Sequence, residues 1–103
     1  VDGLARHLAC VTFHEPTIPV FTSVEARAIE GAAEVPRLLV RQVTAPVCWE
    51  ATVHALGATR ATVALEVGPG KVLTGLSRRI MPDWTCVPAG DIAGIARAAE
   101  VLA

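Results

Sequence analysis

The second half of the chain alternates between β-type and helical patterns of apolar residues. Residues 61–67 form an apolar, β-branched run, and the turn Gly68-Pro69-Gly70 follows at once. After the turn, apolar residues recur at helical spacing, namely Val72, Leu73, Leu76 and Ile80. A strand, a tight turn and a helix in succession predict a βα unit.

The same alternation continues to the end of the sequence. Met81-Pro82-Asp83 ends the helix, and residues 85–87 predict a short strand. Asp91 then predicts the N-cap of a last helix. Its expected inward residues are Ile92, Ile95, Ala99 and Leu102.

The first half of the chain predicts one further strand and three helices. Residues 4–11 have the spacing of an amphipathic helix, and residues 18–24 are apolar on both faces, as in a buried parallel strand. A helix is expected from Glu34 to Val43, with Pro36 in its first turn. After Thr44-Ala45-Pro46, a second helix is expected to end at Gly57. Its inward residues are predicted to be Trp49, Val53 and Leu56.

Strands that alternate with helices predict an α/β fold with a parallel sheet, and such sheets place their chemistry at the carboxyl ends of the strands. The composition also predicts that the chain is a segment of a larger fold. Of its 103 residues 52% are hydrophobic and 18% charged, with a mean hydropathy of +0.49. A small body with this composition exposes apolar surface unless another segment covers it.

Charge and cysteine content narrow the function classes. A net charge of −1 without a basic run argues against nucleic acid as a partner, and no apolar stretch is long enough to span a membrane. Cys10, Cys48 and Cys86 are odd in number and far apart, which favours reduced, mostly buried thiols and a cytoplasmic location. Histidine and cysteine show no metal-ligand spacing, so we expect no metal.

The turn Gly68-Pro69-Gly70 is the strongest local signal. Its glycines allow left-handed or close backbone conformations, and the next helix offers free N–H groups, so the turn could receive an anion or let a catalytic residue pack closely. It is not a Walker loop, because Leu65 stands where that motif has glycine and Val72 where it has Ser or Thr. A purely structural βα turn is the alternative.

The chain holds no recognisable catalytic nucleophile. Neither Ser23 nor Ser77 lies in a Gly-x-Ser-x-Gly elbow. His14, in Phe13-His14-Glu15-Pro16, is a residue type suited to base catalysis, but a loop histidine before a strand is usually a solvated surface residue.

Three segments together resemble the carboxy-terminal third of the malonyl-CoA:acyl-carrier-protein transacylase family. These are residues 13–20 (FHEPTIPV), 39–49 (LVRQVTAPVCW) and 66–80 (EVGPGKVLTGLSRRI). The resemblance implies that residues 1–103 are one partial domain. This domain is the carboxy-terminal part of an α/β-hydrolase-like large subdomain with a parallel sheet, without the family's ferredoxin-like insert.

The resemblance also implies a chemistry. The family transfers a malonyl group from malonyl-CoA to a carrier-protein thiol by a ping-pong mechanism, using a serine nucleophile and a histidine base. The resemblance places both the serine nucleophile and the histidine base outside this chain. His14 is not that base, because it matches a nearby non-catalytic position of the family. The isolated chain is therefore expected to be inactive. Its implied partners are the acyl carrier protein and the missing upstream portion of the acyltransferase; no bound cofactor is implied.

Only supporting residues carry over from the family. Gln42 matches a glutamine whose main-chain carbonyl orients the catalytic histidine, Gly68, Pro69 and Gly70 match a pocket wall, and Arg78 and Arg79 match a basic pair facing the carrier protein. Ser23 departs from the family, which usually has asparagine there. The predicted function is thus part of an S-malonyltransferase of fatty-acid or polyketide synthesis. The alternatives are a non-catalytic docking module for a carrier protein and an anion or nucleotide binder.

Overall fold

The computed structural model describes residues 2–103 and contains five helices and four strands in that range. A short 3-10 turn at Ala32–Glu34 leads into the second helix. In chain order the elements are α1 (Asp2–Leu8), β1 (Phe21–Thr22), β2 (Arg27–Ala28), α2 (Val35–Gln42), α3 (Trp49–Gly57), β3 (Val63–Val67), α4 (Val72–Ile80), β4 (Thr85–Ala89) and α5 (Ile92–Leu102).

The chain divides into two compact units, one ending at Thr52 and the other spanning Val53–Ala103. The assignment of residues 1–103 to one partial domain stays a prediction. In the first unit α1 packs against α2, and β1 pairs with β2 as a short antiparallel hairpin.

The parallel strand expected over residues 18–24 is wrong. Only Phe21 and Thr22 pair, and Ile18 is 71% exposed. Pro19 has no N–H to give to a ladder, and the chain reverses at Ala26, whose φ of 53° is left-handed. A turn so close behind β1 brings the segment back on itself, so the apolar run forms a hairpin instead of a buried strand.

Charged side chains join the hairpin to α2. Arg27 in β2 donates to Glu25 at 2.7 Å and to Glu34 at 2.6 Å. Arg37 and Arg41 in α2 also bind Glu25. The hydrogen bond from Arg27 is the main reason that the pKa of Glu34 falls to about 2. The partners of Glu25 in α2 lie 12 and 16 residues further along the chain, so the sequence alone gave no signal for these pairs.

This network predicts a loss of stability in acid. The pKa of Glu34 is lower in the folded chain than its ordinary 4.5, so its stabilising contribution is complete above pH 4.5 and disappears as the pH falls towards 2. Urea unfolding followed by circular dichroism across that range measures the effect. In Glu34→Gln the dependence should flatten; an unchanged acid profile in that variant would contradict the assignment.

Helices α2 and α3 confirm most of the predicted pattern. Pro36 lies in the first turn of α2, and Leu38 is buried. α3 ends at Gly57 as expected, with Val53 fully buried and with Trp49 and Leu56 half-buried. The start of this helix is held by the Cys48 N–H, which donates to the Ser23 carbonyl at 2.8 Å.

The second unit contains the predicted βα unit. β3 and β4 are parallel and in register from Val63 opposite Thr85 to Val67 opposite Ala89. α5 packs on β4 and buries Val87 and Ala89 beneath Ala98. Glu66 points to the other face of the sheet, where its carboxylate binds α4. The two helices therefore cover opposite faces, which confirms the α/β fold with a parallel sheet.

The inward face predicted for α5 is wrong, and the apolar line of α4 is not its buried face. In α4 the buried residues are Thr74 and Ser77, whereas Val72 is 73% exposed. In α5 the buried residue is Ala98, whereas Ile92 is 88% exposed. Leu73, Leu76, Ile95 and Leu102 are also exposed. The fully buried residues of the two helices are thus small or carry a hydroxyl group, and among the large apolar residues Val101 packs partly buried against the same cluster as Ala98.

Candidate functional site

The turn between β3 and α4 has the backbone that its glycines predicted. Gly68 has a φ of 119° and Gly70 a φ of 89°, a region that other residues rarely adopt. β3 ends at Val67 and α4 begins at Val72, so Gly68, Pro69 and Gly70 lie at the carboxyl end of the parallel sheet. This is the edge where such sheets place ligand sites.

A carboxylate from β3 fixes the turn to the helix that follows it. The Glu66 carboxylate accepts the Thr74 N–H at 2.9 Å, the Thr74 hydroxyl at 2.8 Å and the Leu73 N–H at 3.4 Å. The bonds from Thr74 are the main reason that the pKa of Glu66 is lowered. Glu66 therefore caps α4 across the turn, and sequence reasoning missed this role.

The cap argues against an anion site at the start of α4. A phosphate would bind the free N–H groups of the first helical turn, where the helix dipole favours negative charge. Two of those groups, on Leu73 and Thr74, already donate to Glu66. The internal carboxylate thus takes the place of an external anion.

Gly90, which directly follows β4, packs against the turn. A Cβ atom at Gly90 would lie 2.3 Å from the Gly68 carbonyl oxygen and 3.2 Å from the Pro69 Cα. Only a residue without a side chain fits this approach between the ends of β3 and β4. The position of Gly90 in the sequence indicated a tight connection there, because this glycine stands between a strand and the capping residue Asp91.

An open cleft of about 460 Å³ lies beside this contact. Its lining includes the turn residues Pro69 and Gly70, the start of α5, and the charged residues Lys71 and Arg97. That Gly68, Pro69 and Gly70 together form a pocket wall stays a prediction.

Gln42 lies in the first unit, at the carboxyl end of α2, and is exposed. Within residues 2–103 its main-chain carbonyl accepts no hydrogen bond. The cause is local: four residues further on stands Pro46, which has no N–H to donate. The carbonyl is therefore available to an external donor.

The basic pair Arg78-Arg79 is divided between two environments. Arg78 donates to the Cys86 carbonyl of β4 at 3.0 Å. The Arg79 side chain is exposed and forms no hydrogen bond or ion pair with any described residue. Only Arg79 is thus fully available to a partner, because the Arg78 guanidinium is already anchored to the sheet.

Comparison with known proteins gives a consistent result. No family model matches the chain. The malonyl CoA-acyl carrier protein transacylase of Salmonella typhimurium is 40% identical over 97 residues, and that of Escherichia coli K12 is 38% identical over 100. These alignments cover 94% and 97% of this chain, and 31% and 32% of the relatives.

The solved structures agree with the sequence relatives. A malonyl-CoA:acyl carrier protein transacylase from Xanthomonas oryzae is 37% identical with a TM-score of 0.89, covering 97% of this chain and 32% of its own. A malonyl-transacylase solved in complex with its type II polyketide acyl-carrier protein is 35% identical with the same TM-score and coverage. Over nearly its whole length the chain is homologous to malonyl-CoA:acyl-carrier-protein transacylases. It spans about a third of the length of the relatives it matches.

The structure places the two serines and His14 in three different environments. Ser77 is buried in the middle of α4, Ser23 lies half-buried in the hairpin turn, and His14 is exposed in a loop. Residues 2–103 contain no group of three or more His, Cys, Asp and Glu residues that could hold a metal ion. None of their helices is long and apolar enough to cross a membrane.

The cysteines of the segment are free thiols in three environments. Cys86 is buried in β4 as expected, Cys48 is half-buried, and Cys10 is exposed, which contradicts the expectation of burial for that residue. The cytoplasmic location inferred from them stays a prediction.

Proposed function

We propose that this chain is the carboxy-terminal segment of a malonyl-CoA:acyl-carrier-protein S-malonyltransferase, in the α/β-hydrolase-like large subdomain and without the ferredoxin-like insert. The likeness to transacylases over nearly the whole chain, at 40% identity and a TM-score of 0.89, carries the proposal. The complete enzyme transfers the malonyl group of malonyl-CoA to a carrier-protein thiol, in fatty-acid or polyketide synthesis.

The roles we assign to this chain are supporting ones. The rest of the enzyme supplies the serine nucleophile and the histidine base. The Gln42 carbonyl accepts the histidine N–H that faces away from the serine, which fixes the tautomer able to take the serine proton. Its lack of any partner among the described residues supports this role.

Gly68, Pro69 and Gly70 form a wall of the substrate pocket in this proposal. The wall is rigid because Glu66 holds α4 on one side of the turn and Gly90 lies against the other. A rigid wall keeps the acyl group in a reactive position without a conformational change at each turnover. The open cleft beside the turn supports an approach of substrate from that side.

The test is reconstitution of malonyl transfer. The chain alone, incubated with malonyl-CoA and holo acyl carrier protein, should form neither acyl-enzyme nor malonylated carrier, because the nucleophile is missing. Adding the two thirds of the Escherichia coli transacylase that this chain does not match should produce both. Transfer by the isolated chain, or none by a complex that is shown to form, would contradict the proposal.

The same assay separates the enzyme from a module that only docks a carrier protein. In the reconstituted enzyme, Arg79→Glu should raise the KM for the carrier protein about tenfold while leaving acylation by malonyl-CoA unchanged, because the charge at a docking site acts on encounter. Arg6→Glu, at an exposed arginine of α1, is the matched control. Carrier binding by the isolated chain at undiminished affinity would favour the docking module.

A further inference from the structure

The cleft between the Gly68-Pro69-Gly70 turn and α5 contains two cationic side chains without an ion-pair partner. Its lining includes Lys71, which precedes α4, and Arg97 in α5. Within residues 2–103 neither side chain forms a hydrogen bond or an ion pair. By contrast, the arginines of the charged network in the first unit all bind glutamate side chains. Two unpaired cations that line one cleft favour an anionic ligand.

The first turn of α5 adds a main-chain donor to the same cleft. Ala93 is among the lining residues, and its N–H has no acceptor in the described part of the chain. Ala93 and Arg97 are four residues apart, so they lie on one face of this helix. The helix dipole also places partial positive charge at its N-terminus. A main-chain donor and a guanidinium therefore serve one side of the cleft, and Lys71 comes from the turn.

One carboxylate opposes the two cations. Asp91 also lines the cleft, and its Oδ1 accepts the Gly94 N–H at 2.7 Å. This hydrogen bond holds the carboxylate against the start of α5 as the cap of that helix. Since two of the charged lining residues are cationic and one is anionic, the cleft keeps a net positive charge.

We propose that this cleft binds a phosphate group. A phosphate dianion balances both cations and offers several acceptor oxygens to the Lys71 ammonium, the Arg97 guanidinium and the Ala93 N–H. The volume of about 460 Å³ is in the range of small-molecule sites and leaves room for an organic group on the phosphate. The first turn of α4 takes no part, because two of its N–H groups already donate to Glu66.

A carboxylate is the competing ligand. It carries a single negative charge, so it would leave one of the two cations without a partner. It also has two acceptor oxygens, whereas the cleft offers an ammonium, a guanidinium and a main-chain N–H as donors. We therefore commit to phosphate, and acetate is the probe for the competing ligand.

A titration with inorganic phosphate, followed by NMR of the chain at low salt, tests the proposal. The amide signals of Gly70, Lys71, Ala93 and Gly94 should shift together and saturate below about 10 mM phosphate. Chloride at equal ionic strength should not reproduce these shifts, because screening alone is not binding. Acetate should bind at least about tenfold more weakly. Shifts that do not saturate, or an equal response to acetate, would overturn the proposal.

Removal of either cation should weaken phosphate binding. We expect Lys71→Ala and Arg97→Ala each to raise the Kd for inorganic phosphate at least about fivefold. Arg60→Ala is the matched control, because Arg60 is an exposed arginine of the same unit outside the lining of the cleft. Its Kd should equal that of the parent. Equal losses in all three variants would mean that net charge alone attracts the ion, and would contradict a site in the cleft.

Removal of the opposing carboxylate should strengthen binding. In Asp91→Asn the side-chain oxygen can still accept the Gly94 N–H, while the negative charge is gone, so the Kd for phosphate should fall at least about threefold. Asp83→Asn, at an exposed aspartate outside the cleft, is the control for net charge and should leave the Kd unchanged. A variant that fails to fold cannot produce a gain in affinity. An equal gain in the two variants, or none in Asp91→Asn, would overturn the proposal.

Two sources supply such a phosphate, namely free inorganic phosphate and the phosphate groups of coenzyme A. Adenosine 3′,5′-diphosphate, the nucleotide part of coenzyme A, separates them. Binding at least about tenfold tighter than inorganic phosphate, with the same losses in Lys71→Ala and Arg97→Ala, would support the site and assign it to coenzyme A. Equal affinity would support the site and assign it to the free ion.

Only the assignment to coenzyme A rests on the proposed function. Phosphate binding is measured on the chain by itself, whereas malonyl transfer is measured in the reconstituted enzyme. Saturable phosphate binding without transfer would support the site and contradict the proposed function. Transfer without phosphate binding would support the proposed function and overturn the site.

Discussion

Gly90→Ala is expected to lower the free energy of unfolding by about 3 kcal/mol, at the upper end of what overpacking usually costs. The new Cβ atom would lie 2.3 Å from the Gly68 carbonyl oxygen, although real Cβ atoms stay beyond about 3.0 Å. Both groups in the contact are main chain, so no side chain can rotate away. Either the turn or the end of β4 has to move by roughly 0.7 Å.

Urea unfolding followed by circular dichroism measures this loss, and the melting temperature should fall by at least about 10 °C in a chain of this size. Gly3→Ala is the matched control, because a Cβ atom at Gly3 meets nothing within 4 Å. A Gly90→Ala variant as stable as the parent would show that the turn yields freely. The turn could then not serve as a rigid wall.

The βα unit around the turn could be predicted because its signals are local. The β-branched run before Gly68, the turn itself and the apolar spacing after it gave β3 and α4 to within two residues at each end. The positive φ angles of Gly68 and Gly70 follow from the residue type. Likewise the Asp91 cap is confirmed by its bond from the Gly94 N–H at 2.7 Å.

The failures came where non-local contacts decide. Residues 18–24 have the composition of a buried strand, but pairing also needs a neighbour, and Phe21 and Thr22 find theirs in the hairpin. For α4, apolar spacing favoured burying Val72, whereas the bond between Thr74 and Glu66 turns a hydroxyl towards the sheet. The spacing of apolar residues predicts that a helix exists. The contacts of that helix with neighbouring elements decide which of its faces is buried.

The candidate site, too, could be predicted from the sequence only where its signals are local. Gly68, Pro69 and Gly70 are in the predicted turn, whereas Gly90 becomes important only because β4 brings it against Gly68. The availability of the Gln42 carbonyl follows from Pro46, which is visible in the sequence. By contrast, the hydrogen bond from Arg78 to the Cys86 carbonyl depends on the side of β4 to which that carbonyl points, and only the structure shows this direction.

Gly94→Ala is the second large effect that we expect, a net loss of about 2 kcal/mol. Alanine in place of glycine inside a helix gains about 0.8 to 1.0 kcal/mol. Against this gain, a Cβ atom at Gly94 would lie 2.5 Å from the Pro88 carbonyl oxygen and 3.0 Å from the capping Asp91 Oδ1. Overpacking of about 2 kcal/mol and a weakened cap of about 1 kcal/mol outweigh the helical gain.

Gly75→Ala separates the two contributions, because Gly75 is also inside a helix but a Cβ atom there meets nothing within 4 Å. It should therefore stabilise the chain by the helical gain alone, about 0.5 to 1 kcal/mol. The difference between the two variants in the free energy of unfolding, obtained from urea unfolding, measures how closely α5 packs against β4. Equal shifts in the same direction would mean that α5 can move away from β4 at little cost. The end of β4 would then be too loosely held for Gly90 to keep the turn in place.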